Sequence, residues 1–144
     1  MARKGKSPQL PHPYGANIDL ATARMVALSA AKEAQSIGMN AVIAVVDAGG
    51  HLVYLERFDR TQFGSVEVAI HKARCSVAFK RPTSLFEEAV NGGKVNSLSI
   101  DDVSAVEGGV PLVQRGRIVG AIGVSGGIPW EDGQAARAGA ASLK

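Results

Sequence analysis

Two glycine-bearing segments in the second half of the chain have the residue types of an anion-binding site. Gly108-Gly109 precedes an apolar run and Ser125-Gly126-Gly127 follows another, so each lies where a strand meets a turn. Glycine turns leave main-chain N–H groups uncovered, and the second segment also precedes a predicted helix N-terminus, which favours negative charge. The pattern predicts that these amides bind a small anionic ligand. The alternative is that both segments serve only turn geometry and close packing.

Acid–base groups follow directly after the second glycine segment. Glu131 and Asp132 fall in the first turn of the predicted helix, where carboxylates complement the helix dipole. Two carboxylates at that position compete with a bound anion unless they take part in proton transfer. With His71 as a third proton-transfer group, they are the catalytic residues that we predict if the protein is an enzyme.

Three histidines are candidate axial ligands for a haem iron. His71 lies on a predicted helix, with Glu67 one turn earlier and Cys75 one turn later. It is therefore either an iron ligand, alone or as a soft pair with the Cys75 thiol, or a surface side chain paired with Glu67. His12 lies in a proline-containing tail, from which it could reach a neighbouring subunit or remain in solvent. His51 follows hairpin glycines and is expected to be exposed, and Cys75 is alternatively a buried, inert thiol.

Arg57 and Lys72 are the cationic side chains best suited to hold an anionic group. A planar guanidinium offers a carboxylate two parallel donors, although Arg57 is also positioned to form an ion pair with Asp59. Lys72 is suited to bind a carboxylate or form a Schiff base, although charged residues on an amphipathic helix usually lie on its exposed face. The predicted ligand contacts are completed by Gly108, Gly109, Pro111, Ser125, Gly126 and Trp130.

Apolar periodicity predicts the elements that position these groups. Repeats at three and four residues predict helices, and short β-branched runs bounded by glycines predict strands. The predicted helices run from Asp19 to Gly38, from Phe63 to about Lys80, over 83–90, and from Pro129 to about Leu143. The predicted strands are 41–47, 52–57, 110–114 and 117–125, and 91–102 is a predicted loop. The second helix is predicted to bury Phe63, Val66, Ile70, Ala73 and Val77. Hairpin connections dominate, which indicates an α+β fold with an antiparallel sheet.

Composition limits the class of protein. The 144 residues are 46% hydrophobic and 20% charged, which suits one folded domain and excludes general disorder. No apolar run reaches membrane-spanning length, and a single cysteine cannot form an internal disulfide. A net charge of +3 with 5% aromatic residues is unlike the dense basic face of a nucleic-acid binder. We therefore expect neither a nucleic-acid nor a membrane partner.

The N-terminal segment differs from the rest of the chain. Residues 1–15 contain prolines and few apolar residues, which predicts a flexible tail or an arm laid on a neighbouring subunit. Residues 16–144 are predicted to form a single domain. Arg3, Lys4 and Lys6 are not followed by an apolar stretch, so we predict no secretory signal and expect a cytoplasmic protein.

Five segments in a fixed order carry a family resemblance. They are residues 44–50 (AVVDAGG), 57–59 (RFD), 71–73 (HKA), 108–111 (GGVP) and 120–126 (GAIGVSG). Together they resemble the GlcG/HbpS family of haem-degrading or haem-binding proteins, over nearly the whole length of the predicted domain. The resemblance implies an α+β fold with a five-stranded antiparallel sheet flanked by helices, similar to the C-terminal domain of PduO-type corrinoid adenosyltransferases.

The resemblance also implies a range of functions. It suggests a homo-oligomer concerned with haem or corrinoid binding, redox sensing, or an accessory role in a catabolic operon. The leading hypothesis is a cytoplasmic homo-oligomer that binds haem or another anionic tetrapyrrole in a subunit-edge pocket between the two glycine turns and the start of the second helix. The alternative is a small catabolic-pathway enzyme acting on an unstable enamine, imine or keto carboxylate by acid–base catalysis. A third hypothesis is an assembly or accessory protein whose glycine turns are purely structural.

Overall fold

Four helices and four strands make up the fold of the computed structural model, which describes residues 11–144; the first ten residues of the predicted tail lie outside the described part. The elements are α1 (Leu20–Ser36), β1 (Val42–Asp47), β2 (Leu52–Arg57), α2 (Gly64–Phe79), α3 (Ser84–Asn91), β3 (Gly109–Gln114), β4 (Arg117–Ser125) and α4 (Pro129–Ala141), with a 3₁₀ turn at Val95–Ser99. The 3₁₀ turn corrects the prediction of an unstructured loop. Among the described residues, no helix is long and apolar enough to cross a membrane.

The strands form one antiparallel sheet in the order β2-β1-β4-β3. The expectation of a fifth strand is wrong for the described residues. The first residues of β4 extend past the end of β1, and the segment before α1 lies beside them. There the Gly15 and Ile18 amides donate to the carbonyls of Ile118 and Val119, but Tyr14 forms only an isolated bridge. One bridge is not a ladder, so this segment adds no regular strand.

Local sequence signals explain where the elements begin and turn. Asp19 caps α1, because its carboxylate accepts a hydrogen bond of 2.8 Å from the Thr22 amide. Arg115 and Gly116 both have positive φ, as a two-residue turn between β3 and β4 requires. The start of α1 and the β3–β4 hairpin therefore follow from single residues that the sequence displays.

Helices cover both faces of the sheet. On β1, Val42 and Ala44 lie in a cluster with Ala69 of α2, whereas Ile43 and Val45 lie in the main core with α1 and α4. Because successive side chains of a strand point to opposite faces, α2 packs on one face and α1 with α4 on the other. Strand β1 is therefore central and covered on both sides, which accounts for its continuous apolar run.

Most of the predicted buried stripe of α2 lies against the sheet, where Ala73 and Val77 are buried. Phe63 precedes the helix and is 82% exposed, so its assignment to the buried stripe is wrong. The buried face also carries the small residue Ala69. Gly123 of β4 makes this close approach possible, because a Cβ at that position would overlap the carbonyl of Ala69. Periodicity therefore predicted most of the face that contacts the sheet, and it was wrong only at Phe63.

Candidate functional site

A buried ion pair joins α2 to α4. The Lys72 ammonium lies 2.9 Å from a carboxylate oxygen of Asp132, and the two side chains are 1% and 3% exposed. The ammonium also donates to the Val124 carbonyl at 3.0 Å, close to the end of β4. Because α2 and α4 lie on opposite faces of the sheet, the lysine reaches Asp132 by passing the end of the edge strand β3. The alternative that Lys72 lies on the exposed face of its helix is wrong.

The first glycine segment makes room for this lysine. Gly108 has a φ of 137°, and a Cβ on it would lie 2.8 Å from Lys72 Nζ. A Cβ on Gly109 would overlap the Lys72 carbonyl, while the Gly109 amide donates to Thr83 Oγ1 at 2.9 Å. The Gly109 amide is therefore not free to bind an anion, and Gly108 is buried beside the lysine. Both are buried, and they serve close packing around a lysine side chain.

The second glycine segment is satisfied by the protein's own carboxylates. The Gly127 amide donates to Asp132 at 2.8 Å, and the Ile128 amide donates to Glu131 at 3.1 Å. The carboxylates of Asp132 and Glu131, and not an external anion, therefore accept the hydrogen bonds of these amides. The predicted docking of an anion at Gly126 is wrong for the same reason. Glu131 caps α4, which accounts for its position without a catalytic role.

The environment of Asp132 perturbs its titration. Burial raises the pKa of the Asp132 carboxyl, and the Lys72 ammonium with the Gly127 and Gly126 amides opposes that rise. A carboxyl and an amine in contact inside a protein can exchange a proton, which is the property of an acid–base pair. Neither group reaches solvent, so the pair acts here as a cross-link between α2, β4 and α4.

An open groove lies along the exposed side of α2. It has a volume of about 330 Å³ and is lined by Glu67, Val68, Ile70, His71 and Arg74. His71, Val68 and Arg74 are exposed. Within residues 11–144, His71 forms no ion pair with Glu67, so the alternative of a paired surface histidine is not realised. The groove combines a nitrogen donor, apolar side chains and a guanidinium.

Arg57 lies in a separate cleft. This polar cleft of about 410 Å³ is formed by Gln35, Asn40 and residues 56–60. The alternative ion pair between Arg57 and Asp59 is not formed in the part of the chain that the structure describes. None of the other predicted ligand contacts lines this cleft, so the structure does not bring Arg57 together with Lys72.

The remaining predicted contacts also lie apart from the α2 groove. Ser125 is buried at the end of β4, where it pairs with Val42 of β1. Pro111 is half-buried in the edge strand β3, opposite Ala121. Trp130 is 56% exposed in the first turn of α4. These residues therefore do not line the α2 groove, and the subunit-edge pocket predicted from them stays a prediction.

The other histidines and the cysteine are held elsewhere. His12 Nδ1 lies 3.0 Å from the Gly116 carbonyl at the β3–β4 turn, and His51 is exposed at the β1–β2 turn. Cys75 is fully buried, and this burial raises the pKa of its thiol. Only the imidazole of the predicted His71–Cys75 ligand pair reaches the surface. The described residues contain no cluster of three or more possible metal ligands.

Sequence reasoning missed Arg74, Val68 and Ile70 as groove residues. Arg74 follows His71 by three residues, a spacing that places two helix side chains next to each other on one face. That spacing was the available signal, but it does not tell which face of α2 remains open. The orientation of the helix depends on the close approach at Gly123, which is a tertiary contact.

Comparison with known families identifies the class of protein. The family described as "Haem degrading protein HbpS-like" matches residues 18–141. This chain belongs to that HbpS-like family, which confirms the resemblance found in its motifs. Among its relatives, Protein GlcG of Escherichia coli (strain K12) is 39% identical over 94 residues, covering 65% of this chain and 70% of GlcG.

Solved structures of relatives share the fold. A double mutant of Streptomyces reticuli HbpS has a TM-score of 0.81 and 30% identity, covering 100% of this chain and 95% of HbpS. PduOC, crystallised as a haem complex, has a TM-score of 0.79 and 26% identity, covering 90% of this chain and 96% of PduOC. The α+β architecture with an antiparallel sheet flanked by helices is thereby confirmed.

Proposed function

We propose that this protein is a homo-oligomer that binds haem or another anionic tetrapyrrole in the groove along α2. The observation that carries the proposal is the exposed His71 imidazole, which lines one groove together with apolar side chains and a guanidinium. The family match and the haem complex of PduOC support the choice of ligand. The sequence placed the binding site at the two glycine turns, which are closed. The proposal places it instead on the exposed side of α2.

Each part of the groove meets one requirement of haem. A histidine nitrogen is a common axial ligand of haem iron. Val68 and Ile70 offer apolar contact to the macrocycle, whose removal from water favours binding. The Arg74 guanidinium suits the carboxylate of a propionate group. Haem would supply an iron centre for redox or ligand chemistry, and this chain's own residues hold and orient it.

An oligomer would complete the site. The groove is open to solvent, so a flat macrocycle on it would have one face uncovered. A second copy of the chain is the partner that we propose for that face. No residue of α3 or of the 3₁₀ turn is buried, and exposed apolar side chains there support an interface between copies. These side chains are Leu85, Val95 and Leu98.

Haemin titration with matched histidine variants tests the proposal. The wild-type protein should give a Soret band that saturates at one haemin per subunit, because the imidazole coordinates the iron. His71→Ala should lose this band, whereas His51→Ala should keep it, since His51 is an equally exposed histidine outside the groove. No spectral change at stoichiometric haemin, or an unchanged His71→Ala variant, would contradict the proposal. Light scattering during size-exclusion chromatography tests the oligomer.

The buried ion pair favours a second candidate function. An amine and a carboxyl in contact at 2.9 Å are groups suited to acid–base chemistry on an unstable enamine, imine or keto carboxylate. Asp132 would move the proton, and a substrate would need access from the glycine segments that now cover Lys72. Turnover should then be abolished in Asp132→Asn and retained in Glu131→Gln. Both are assayed at a temperature where circular dichroism shows them folded, because Asp132→Asn leaves the buried Lys72 ammonium without its carboxylate. Absence of turnover in the wild-type protein with all three substrate classes would rule this candidate out.

A further inference from the structure

Two cavities adjoin along α2, and Arg74 lines both. The first is the groove with His71, and the second has a volume of about 250 Å³. The second is lined by Tyr14, Ala48, Gly49, Gly50, Arg74, Val77, Ala78 and Asp102. Arg74 therefore lies at the boundary between an open groove with a nitrogen donor and a pocket against the β1–β2 turn.

The guanidinium of Arg74 is held only weakly in this position. Its nearest terminal nitrogen lies 3.8 Å from a carboxylate oxygen of Asp102, and both side chains are about half exposed. A long, solvent-exposed ion pair of this kind contributes little to stability. A carboxylate from a ligand can therefore take the place of Asp102 without a large energetic cost.

The groove is also electrically polar along its length. Glu67 lies at one end and Arg74 at the other, two helical turns further along α2. A ligand carboxylate is repelled at the Glu67 end and attracted at the Arg74 end. His71 lies between these two charges. A ligand coordinated by the imidazole is therefore expected to point its carboxylates toward Arg74 and away from Glu67.

Three other cationic side chains do not line the groove. Lys72 is buried against Asp132, and Arg57 lines the cleft near Asn40. The Arg81 side chain donates to the Phe79 carbonyl at 2.9 Å. Among the described residues that line the groove, Arg74 is the single cation able to pair with a carboxylate.

We propose that Arg74 is the residue that selects ligands with a free carboxylate, and that Asp102 occupies its guanidinium until such a ligand binds. This inference rests on the proposed binding of a tetrapyrrole beside His71. It adds a contact that determines specificity, and it orients the ligand with its carboxylate at Arg74. When the ligand carboxylate takes the place of Asp102, Arg74 exchanges an ion pair of 3.8 Å for a charge-assisted hydrogen bond.

The test compares haemin with haemin dimethyl ester, in which both carboxylates are blocked. Wild-type protein should bind haemin at least about tenfold more tightly than the ester, as a charge-assisted hydrogen bond implies. Arg74→Gln should bind both with the affinity that the wild type shows for the ester. Arg24→Gln is the matched control, because Arg24 is an exposed arginine of α1, on the other face of the sheet. Asp102→Asn should bind haemin a few times more tightly than the wild type.

The outcomes separate this inference from the function on which it rests. Equal affinity of the wild type for haemin and its ester would overturn the role of Arg74 and leave haem binding intact. So would a variant Arg74→Gln that keeps the wild-type preference. Failure of the wild type to bind either compound would overturn both the function and the inference.

Discussion

His71 and Lys72 are consecutive residues of α2, yet they belong to two regions with opposite properties. Lys72 points into the protein, where Asp132 and the Val124 carbonyl satisfy its ammonium. His71 faces solvent in a groove whose charged neighbours are weakly paired. The buried region has its hydrogen-bonding groups satisfied internally, so it favours one conformation. The open region has donors left over, which is what ligand binding requires.

The comparison explains the role of the glycines. Gly108, Gly109 and Gly123 lie where backbone or the lysine side chain comes too close for a Cβ. They allow α2 to approach the sheet, and this approach turns Lys72 inward and His71 outward. The glycine turns are therefore structural, and the ligand site that we propose is a consequence of the helix orientation that they permit.

Removing one partner of the buried pair should have the largest effect on stability. Lys72→Met leaves the Asp132 carboxylate buried without its cation, which we expect to cost about 3–5 kcal/mol in the free energy of unfolding. Replacing both residues, as in Lys72→Met with Asp132→Leu, should restore much of that loss, because no buried charge remains. Urea denaturation measures both values. A single variant as stable as the wild type would show that the pair is not the cross-link described above.

A methyl group at a glycine between α2 and the sheet should have an intermediate effect. Gly123→Ala places a Cβ against the Ala69 carbonyl, and such overpacking typically costs about 1–3 kcal/mol. Gly64→Ala is the control: Gly64 is the first residue of α2, and its added Cβ has no neighbour within 4 Å. Thermal unfolding should show a lower Tm for the first variant and an equal or higher Tm for the second. Equal Tm values for both variants would contradict the close approach.

A substitution in the groove should affect stability least. Val68→Ser changes an exposed side chain, so we expect the free energy of unfolding to change by no more than about 0.5 kcal/mol. Haemin affinity should nevertheless fall, because an apolar contact to the macrocycle is lost. Urea denaturation and haemin titration of one sample separate the two effects. A large loss of stability would mean that Val68 belongs to the core and not to a binding surface.

Most of the fold could be predicted from local sequence signals. The Asp19 cap, the β-branched run of β1 and the Arg115-Gly116 turn each fix an element through neighbouring residues. The fifth strand that the family resemblance implied is not formed among the described residues, whereas the four strands predicted from local signals are present. The segment around Tyr14 pairs with β4 through a few hydrogen bonds, and its regularity depends on a tertiary contact.

The site could be predicted only in part. His71 was a candidate ligand because of its chemistry, and it does line a groove. The prediction of Lys72 as a ligand contact could not foresee its burial, since helix periodicity normally places lysine outside. Its partner Asp132 is 60 residues away in sequence. Arg74 was missed because nothing in the sequence tells which side of α2 the sheet leaves open.

The location of the iron in crystals grown with haemin tests the central claim most directly. Anomalous scattering at the iron edge gives that position independently of the protein phases. We predict one peak per subunit beside the His71 imidazole, with Lys72 and Asp132 still in contact. A peak at the glycine segments around Gly109 or Gly126, or a separated Lys72–Asp132 pair in the complex, would contradict the division between a closed core and an open site.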